Sequence, residues 1–360
     1  MSDKKDFNPD WVSPPGDTIA DILEERSYSQ LEFAQRMGYT PKYVNELIKS
    51  RAPISPETAR KLELVLGATA DFWIARDTQY RGSTLHPPTD VEHKDQEVWL
   101  KELPVKDMLQ YGWLSKTLFA TNRAAACLRF FGVADVQAWR ATYQNVLEMA
   151  AFRTSPSFRS QPGAVAAWLR QGEIESASLE CKPWDHKVFQ SALAEMRFLT
   201  RKRNPKLFLP ELSRRCADCG VAVAIVRAPE GCRASGATRF IAPSKALLLL
   251  SFRYLSDDHF WFTFFHEAGH LILHSKKALF LEGGAVSTAE ELEANEFSAR
   301  TLVPPEFQNK LERLKVERHE IRNFAKSIGV SPGIILGQLQ YRGKARRNQL
   351  STLKARFRWA

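Results

Sequence analysis

Phe260-Trp261-Phe262-Thr263-Phe264-Phe265-His266-Glu267-Ala268-Gly269-His270-Leu271-Ile272-Leu273-His274 reads as a hydrophobic helix interrupted by H-E-x-x-H. Ser256, Asp257 and Asp258 just before it are helix N-cap residue types, and the apolar run that follows is long enough for a core helix. One turn separates His266 from His270, so both imidazoles leave the same face and can close on one metal ion. Zinc, one ion per chain, is the expected metal. Glu267 sits about 100° around the helix from His266. Its carboxylate therefore falls beside such a metal rather than on it, where a general base for the attacking water is needed.

Zinc requires a third protein ligand and an open fourth position. The stretch Ser287 to Arg300 is strongly helical, is stopped by Pro304 and Pro305, and carries four competing glutamates, Glu290, Glu291, Glu293 and Glu296. His274 is a rival one turn beyond His270. Three histidines on one straight helix would span about 12 Å, too far for all to reach one ion, and the Gly-turn that precedes the third His in metzincins is missing. Upstream, Ala246-Leu247-Leu248-Leu249-Leu250-Ser251-Phe252 reads as a buried strand. Strand, histidine helix and glutamate helix in that order favour a metal centre over a core helix with two incidental histidines.

With 360 residues, 44% of them hydrophobic, the chain can build two or three domains with real cores. It holds no run of eighteen apolar residues, and Met1 to Asp10 is polar rather than signal-like. A soluble protein of the bacterial cytoplasm, without a membrane partner, is expected. Five cysteines, Cys127, Cys181, Cys216, Cys219 and Cys232, are an odd number and argue against a disulfide framework. Cys216-Ala217-Asp218-Cys219 lacks the second pair of a zinc ribbon and reads as buried thiols on a helix ending at Gly220. The net charge of +10 is unevenly spread. Residues 1–80 hold ten basic against thirteen acidic residues, residues 311–360 twelve against three. A basic C-terminal tail can meet nucleic acid, an acidic partner or only solvent.

From Pro15 the pattern is a series of short helices with starts and stops. Asp17 opens Thr18 to Arg26; Ser29 opens Gln30 to Met37, which Gly38 ends. Thr40-Pro41 opens Lys42 to Lys49, Ser55-Pro56 opens Glu57 to Leu66, and a fifth helix spans Thr69 to Tyr80. The second and third, joined by Gly38-Tyr39-Thr40, have helix-turn-helix spacing. On Gln30-Leu31-Glu32-Phe33-Ala34, Thr40 to Ile48 and Ile54 to Ala59, the stretch Gly16 to Arg76 resembles the Xre-type domain of HigA-like antitoxins. The resemblance implies a five-helix domain that binds double-stranded DNA and often pairs as a homodimer. Thr40, Lys42, Tyr43 and Asn45 are the groove-facing candidates, with Lys49 and Arg51 toward phosphate. The acidic balance of the domain works against strong DNA affinity, much of which comes from phosphate neutralisation.

The remaining expectations follow the chain. Residues 1–10 read as a disordered tail, 11–80 as the helix-turn-helix domain, 81–95 as a linker and 96–208 as a helical connector with no cluster suggesting chemistry, turning at signals such as Thr154-Ser155-Pro156. Then come a helix over Glu211 to Cys219 and strands over Val221 to Val226, Arg233 to Phe240 and Ala246 to Phe252. Such a sheet edge beside the histidine helix is a place where an extended peptide can be held. From Leu209 to Tyr341 the chain resembles the ImmA/IrrE-type metallo-endopeptidases. The resemblance is carried by Gly231-Cys232-Arg233, Ser235-Gly236-Ala237-Thr238, the H-E-x-x-H helix, Glu293-Ala294-Asn295-Glu296-Phe297-Ser298-Ala299 and a helix-turn-helix-like end at Phe324 to Ile335.

That resemblance implies a zincin-like α+β metallopeptidase domain with a small sheet over 209–310, a helical basic region over 311–360, and a mostly α multidomain chain. It implies His266, His270 and Glu293 as zinc ligands, with Glu293 chosen because it precedes Ala-Asn, and Glu267 as catalytic base. It further implies a helix-turn-helix repressor as protein substrate, with roles in stress, mobile-element or toxin-antitoxin regulation. The competing expectation is a non-proteolytic antitoxin or repressor whose zinc fold senses or binds.

Overall fold

The structure is a computed structural model that describes residues 13–83, 90–143, 161–274, 280–281 and 289–359. The expected tail over 1–10, the turn at Thr154 to Pro156 and residues 84–89 of the expected linker lie outside the described residues. The chain divides into two compact units, Met1–His93 and Lys94–Ala360.

The first unit is five helices, α1 (Pro15–Glu25), α2 (Gln30–Met37), α3 (Pro41–Ile48), α4 (Pro56–Leu66) and α5 (Ala70–Ser83). Hydroxyls satisfy their otherwise orphaned N-terminal amides: Ser29 Oγ accepts from Glu32 N, Thr40 Oγ1 from Tyr43 N, Ser55 Oγ from Thr58 N and Thr69 Oγ1 from Phe72 N. The first helix departs from expectation. It starts at Pro15, because a proline at the first position needs no amide partner, and Asp17 becomes a first-turn acid rather than its cap. Phe33, Val44, Leu47, Leu62 and Trp73 close a single small core.

The second unit is built on one sheet. The strands β1 (Val221–Ile225), β2 (Gly236–Ala242), β3 (Lys245–Leu250) and β4 (Phe280–Leu281) run in the order β1-β3-β2-β4. β1 lies parallel to β3, and β2 lies antiparallel to both β3 and β4. The continuous run Ala246 to Leu250 is what a central strand covered on both faces demands. Its side chains alternate between two cores. Ala246, Leu248 and Leu250, with Val221 and Val223, meet the H-E-x-x-H helix, whereas Leu247 and Leu249, with Ala224 and Ala237, meet Trp99, Trp139 and Trp168.

Those tryptophans belong to the stretch expected to be a connector. It folds as α6 (Asp90–Glu102), α7 (Val105–Gln110), α8 (Lys116–Thr121), α9 (Arg123–Phe131), α10 (Val136–Thr142), α11 (Pro162–Ala177) and α12 (His186–Met196), followed by α13 (Pro205–Ala217). α11 packs on β1 and β3, and the Trp168 indole donates to the Val226 carbonyl at 3.0 Å. The described residues of 96–208 therefore cover one face of the sheet and part of the other. A four-stranded sheet with apolar residues on both faces needs a layer on each.

The other face carries α14 (Asp257–Leu273), the H-E-x-x-H helix, with α15 (Ala289–Leu302), α16 (Pro305–Glu312), α17 (Arg318–Ile328) and α18 (Pro332–Tyr341). α14 is enclosed on nearly all sides from Phe260 to Leu271. The basic C-terminal segment is not a loose tail. Leu353, Ala355 and Phe357 alternate into the core while Arg356 and Arg358 point outward, Ser256 bridges to Arg356, and Lys354 pairs with Asp258 at 2.5 Å. All five cysteines are free thiols, and Cys216 and Cys219 are buried. No helix among the described residues is long and apolar enough to cross a membrane.

The helix-turn-helix-like end repeats the first unit's signal. Phe324-Ala325, Ile328-Gly329 and Ser331-Pro332 fall at the spacing of Phe33-Ala34, Met37-Gly38 and Thr40-Pro41. Both turns pass through a left-handed glycine and both second helices are capped by a hydroxyl. The use differs. Where α3 presents exposed Lys42, α18 has Gly333, and a Cβ there would lie 2.4 Å from an Asp257 carboxylate oxygen. The face that would read a groove is packed on α14 instead.

Candidate metal centre

His266 and His270 lie one turn apart on α14 and are 1% exposed each. Their Nε2 atoms face one another at 3.0 Å. The third donor comes from α15. Glu291 Oε2 is 3.4 Å from His266 Nε2 and Glu291 Oε1 is 3.4 Å from His270 Nε2. Among the described residues, His266, His270 and Glu291 form a group whose ligand atoms all lie within 4.8 Å of one another. Glu293, the ligand expected from the sequence, is not in it. Its Oε2 meets His274 Nε2 at 3.0 Å and its side chain is 61% exposed.

The register of α15 explains the difference. Ala294, Ser298 and Leu302 form its buried stripe, and Ser298 Oγ donates to the Phe262 carbonyl of α14 at 2.9 Å. The stripe extrapolates backward by three residues to Glu291, whereas Glu293, two residues on, lies about 200° around the helix. Gly269 makes the approach of the two helices possible. A Cβ there would sit 3.1 Å from the Phe297 ring and 3.3 Å from Ala294 Cα. The Glu-Ala-Asn resemblance carries no information on this register, which is set by contacts between α14 and α15.

Hydrogen bonds behind the histidines decide which nitrogen is available. His266 Nδ1 faces Asn295 Oδ1 at 3.1 Å, so Nδ1 carries the proton and Nε2 offers its lone pair. Burial lowers the His270 imidazole below its ordinary value, which keeps it neutral. Two imidazole nitrogens and one carboxylate converging in this way are the donor types of a catalytic zinc site with two histidines and one glutamate. The residues present fit the metal.

Glu267 is fully buried on the neighbouring face of α14. Thr238 of β2 donates its hydroxyl to Glu267 Oε2 at 3.1 Å. A Cβ on Gly236 would come within 2.5 Å of Glu267 Oε1, so β2 approaches the carboxylate with bare backbone. Neither Thr238 nor Gly236 had a role assignable from sequence, because their contact spans a sheet and a helix. A cavity of about 390 Å³ opens beside the centre, lined by His266, Glu291, Asn295, Phe262, Leu302 and Ile334 among others.

In the first unit, the six DNA candidates separate. Thr40 is exposed while its hydroxyl caps α3, and Tyr43 is half-buried, its ring against Tyr39 and its hydroxyl 3.4 Å from Thr58 Oγ1. Lys42 and Lys49 are exposed, Asn45 is half-buried, and exposed Arg51 stands 3.8 Å from Glu46.

Comparison with known proteins agrees with this division. A family model described as helix-turn-helix matches residues 19–73, and one described as IrrE N-terminal-like domain, of the M78 peptidases, matches residues 225–340. Over 60 residues the chain is 37% identical to an uncharacterized HTH-type transcriptional regulator, YddM, of Escherichia coli (strain K12). That alignment covers 17% of this chain and 64% of the relative. The chain thus joins a helix-turn-helix domain of the Xre type, over residues 19–73, to a domain matching the IrrE N-terminal-like family of M78 peptidases, over residues 225–340.

Proposed function

We propose that the chain is a zinc-dependent endopeptidase coupled to transcriptional regulation, with His266, His270 and Glu291 as the metal ligands and Glu267 as the general base. The observation that carries this reading is the convergence of two Nε2 atoms and one carboxylate within 4.8 Å, beside a fully buried glutamate held by Thr238. Zinc held there would supply polarisation of a scissile carbonyl and activation of a water. Glu267 accepts the proton of the attacking water and delivers it to the leaving amine. The Thr238 hydroxyl fixes the Glu267 carboxylate.

The helix-turn-helix domain supports double-stranded DNA as a partner, and its union with a peptidase-like domain in one chain supports a regulatory protein, a helix-turn-helix repressor or antitoxin, as substrate in a bacterial cytoplasm. The test is incubation of the zinc-loaded full chain with candidate repressor proteins and with itself, read by mass spectrometry. Specific cuts absent from Glu267→Gln support the reading. Identical fragments from both proteins, or none from either against the chain's own neighbouring regulators, favour the non-proteolytic repressor.

A further inference from the structure

His274 and Glu293 stand outside the three-donor cluster yet are tied to it in series. α14 ends at Leu273, and His274 leaves the helical path with extended backbone (φ −117°, ψ 175°) while its amide still bonds the His270 carbonyl. The ring thereby turns back, and His274 Nδ1 lies 2.9 Å from His270 Nδ1. Its other nitrogen, Nε2, lies 3.0 Å from Glu293 Oε2. The His274 side chain is 5% exposed, whereas Glu293 reaches it from an exposed side chain.

We propose that His274 and Glu293 are a positioning pair that fixes the tautomer and ring orientation of His270 for metal binding. The proposal rests on the metal centre proposed above. A carboxylate only accepts, so the proton between Glu293 and His274 belongs to His274 Nε2. With its ring proton on Nε2, His274 presents a lone pair at Nδ1. One proton must lie between the two Nδ1 atoms, and it belongs to His270. The Nε2 lone pair of His270 is left facing His266 Nε2 and Glu291. Asn295 performs the same service for His266. Glu293 therefore acts on the metal through His274 rather than by touching it. Outer partners of this kind set ligand orientation and basicity.

Zinc affinity of the full chain, measured by competition with a fluorescent chelator, tests the pair together with nitrogen NMR of the imidazoles in the zinc-free protein. His274→Phe should weaken zinc binding ~10–100-fold and leave the unfolding midpoint of the zinc-free protein near wild type. His274→Gln, which retains an acceptor, should restore part of the loss. Glu293→Ala should weaken binding in the wild-type background and add nothing in His274→Phe. In the wild type, His270 should carry its proton on Nδ1, and in Glu293→Ala, at an exposed position that tests the chain should His274→Phe fail to fold, that preference should be lost. Unchanged affinity in both single variants, or an equal cost of Glu293→Ala with and without His274, overturns the pair while leaving the metal centre intact. Failure of the wild type to bind zinc overturns both.

Discussion

Glu267 is held between Thr238 and the bare backbone of Gly236, so its chemistry can be separated from its support. Glu267→Gln keeps the shape and removes the base: zinc content should stay at wild type while cleavage falls by at least ~10²-fold. Gly236→Ala puts a methyl 2.5 Å from Glu267 Oε1 and should lower cleavage ~10–100-fold by displacement, again with zinc retained. Loss of zinc in either variant would show that the glutamate is part of the metal site and not beside it. Asp257 shows a different residue-scale effect. Burial, helped by neighbouring Asp258, raises its carboxyl from 3.8 to about 6, against hydrogen bonds from Ser331 and the Ala355 and Asp258 amides. The folded state then holds the proton more firmly than the unfolded chain, so this group's contribution to stability falls as pH rises from about 4 to about 6, by about 3 kcal/mol, and levels off above. Denaturant melts across that window should show the stability difference between wild type and Asp257→Asn shifting against wild type as pH rises. A difference that shifts in favour of wild type across the same window would reverse the assignment.

On the scale of elements, α3 and α15 show how far sequence reasoning reached. The hydroxyl caps at Ser29, Thr40 and Ser55 and the helix-turn-helix spacing were legible because each is set by residues three or four apart. The register of α15 was not, since it depends on Ser298 reaching the Phe262 carbonyl and on Gly269 admitting Ala294. His274 escaped the argument for a different reason: the span of three histidines assumed a straight helix, and the chain leaves the helix at that residue. For α3, exposed Lys49 should contribute through phosphate and Asn45 through bases. Asn45→Ala is expected to cost ~1–3 kcal/mol at a specific duplex, and Lys49→Ala to weaken all duplexes and reduce the salt slope by about one. Titrations at several salt concentrations check both, and unchanged binding of both variants to every duplex would remove α3 as the reading element.

Across the whole molecule, the sequence divided residues 94–360 too finely. The run Ala246 to Leu250 announced a buried strand, but nothing local announced that Leu247 and Leu249 would pack against Trp99, Trp139 and Trp168, residues about 80 to 150 positions earlier. A layer that covers a sheet face is chosen by tertiary packing, and a helical stretch without chemical motifs looks like a connector until its partner is known. Residues 94–360 expressed alone should therefore unfold in one cooperative transition. Residues 209–360 alone, with Leu247 and Leu249 stripped of their cover, should be aggregated or lack fixed near-ultraviolet circular dichroism. A well-folded 209–360 fragment would contradict the shared core.

Metal content per chain after zinc loading and gel filtration, measured in parallel for wild type, Glu291→Ala and Glu293→Ala, tests the central claim most directly. The geometry of His266, His270 and Glu291 predicts one zinc in the wild type, loss of it in Glu291→Ala, and retention at saturating zinc in Glu293→Ala. A wild type without metal, or a centre that survives Glu291→Ala and is lost in Glu293→Ala, would contradict the account.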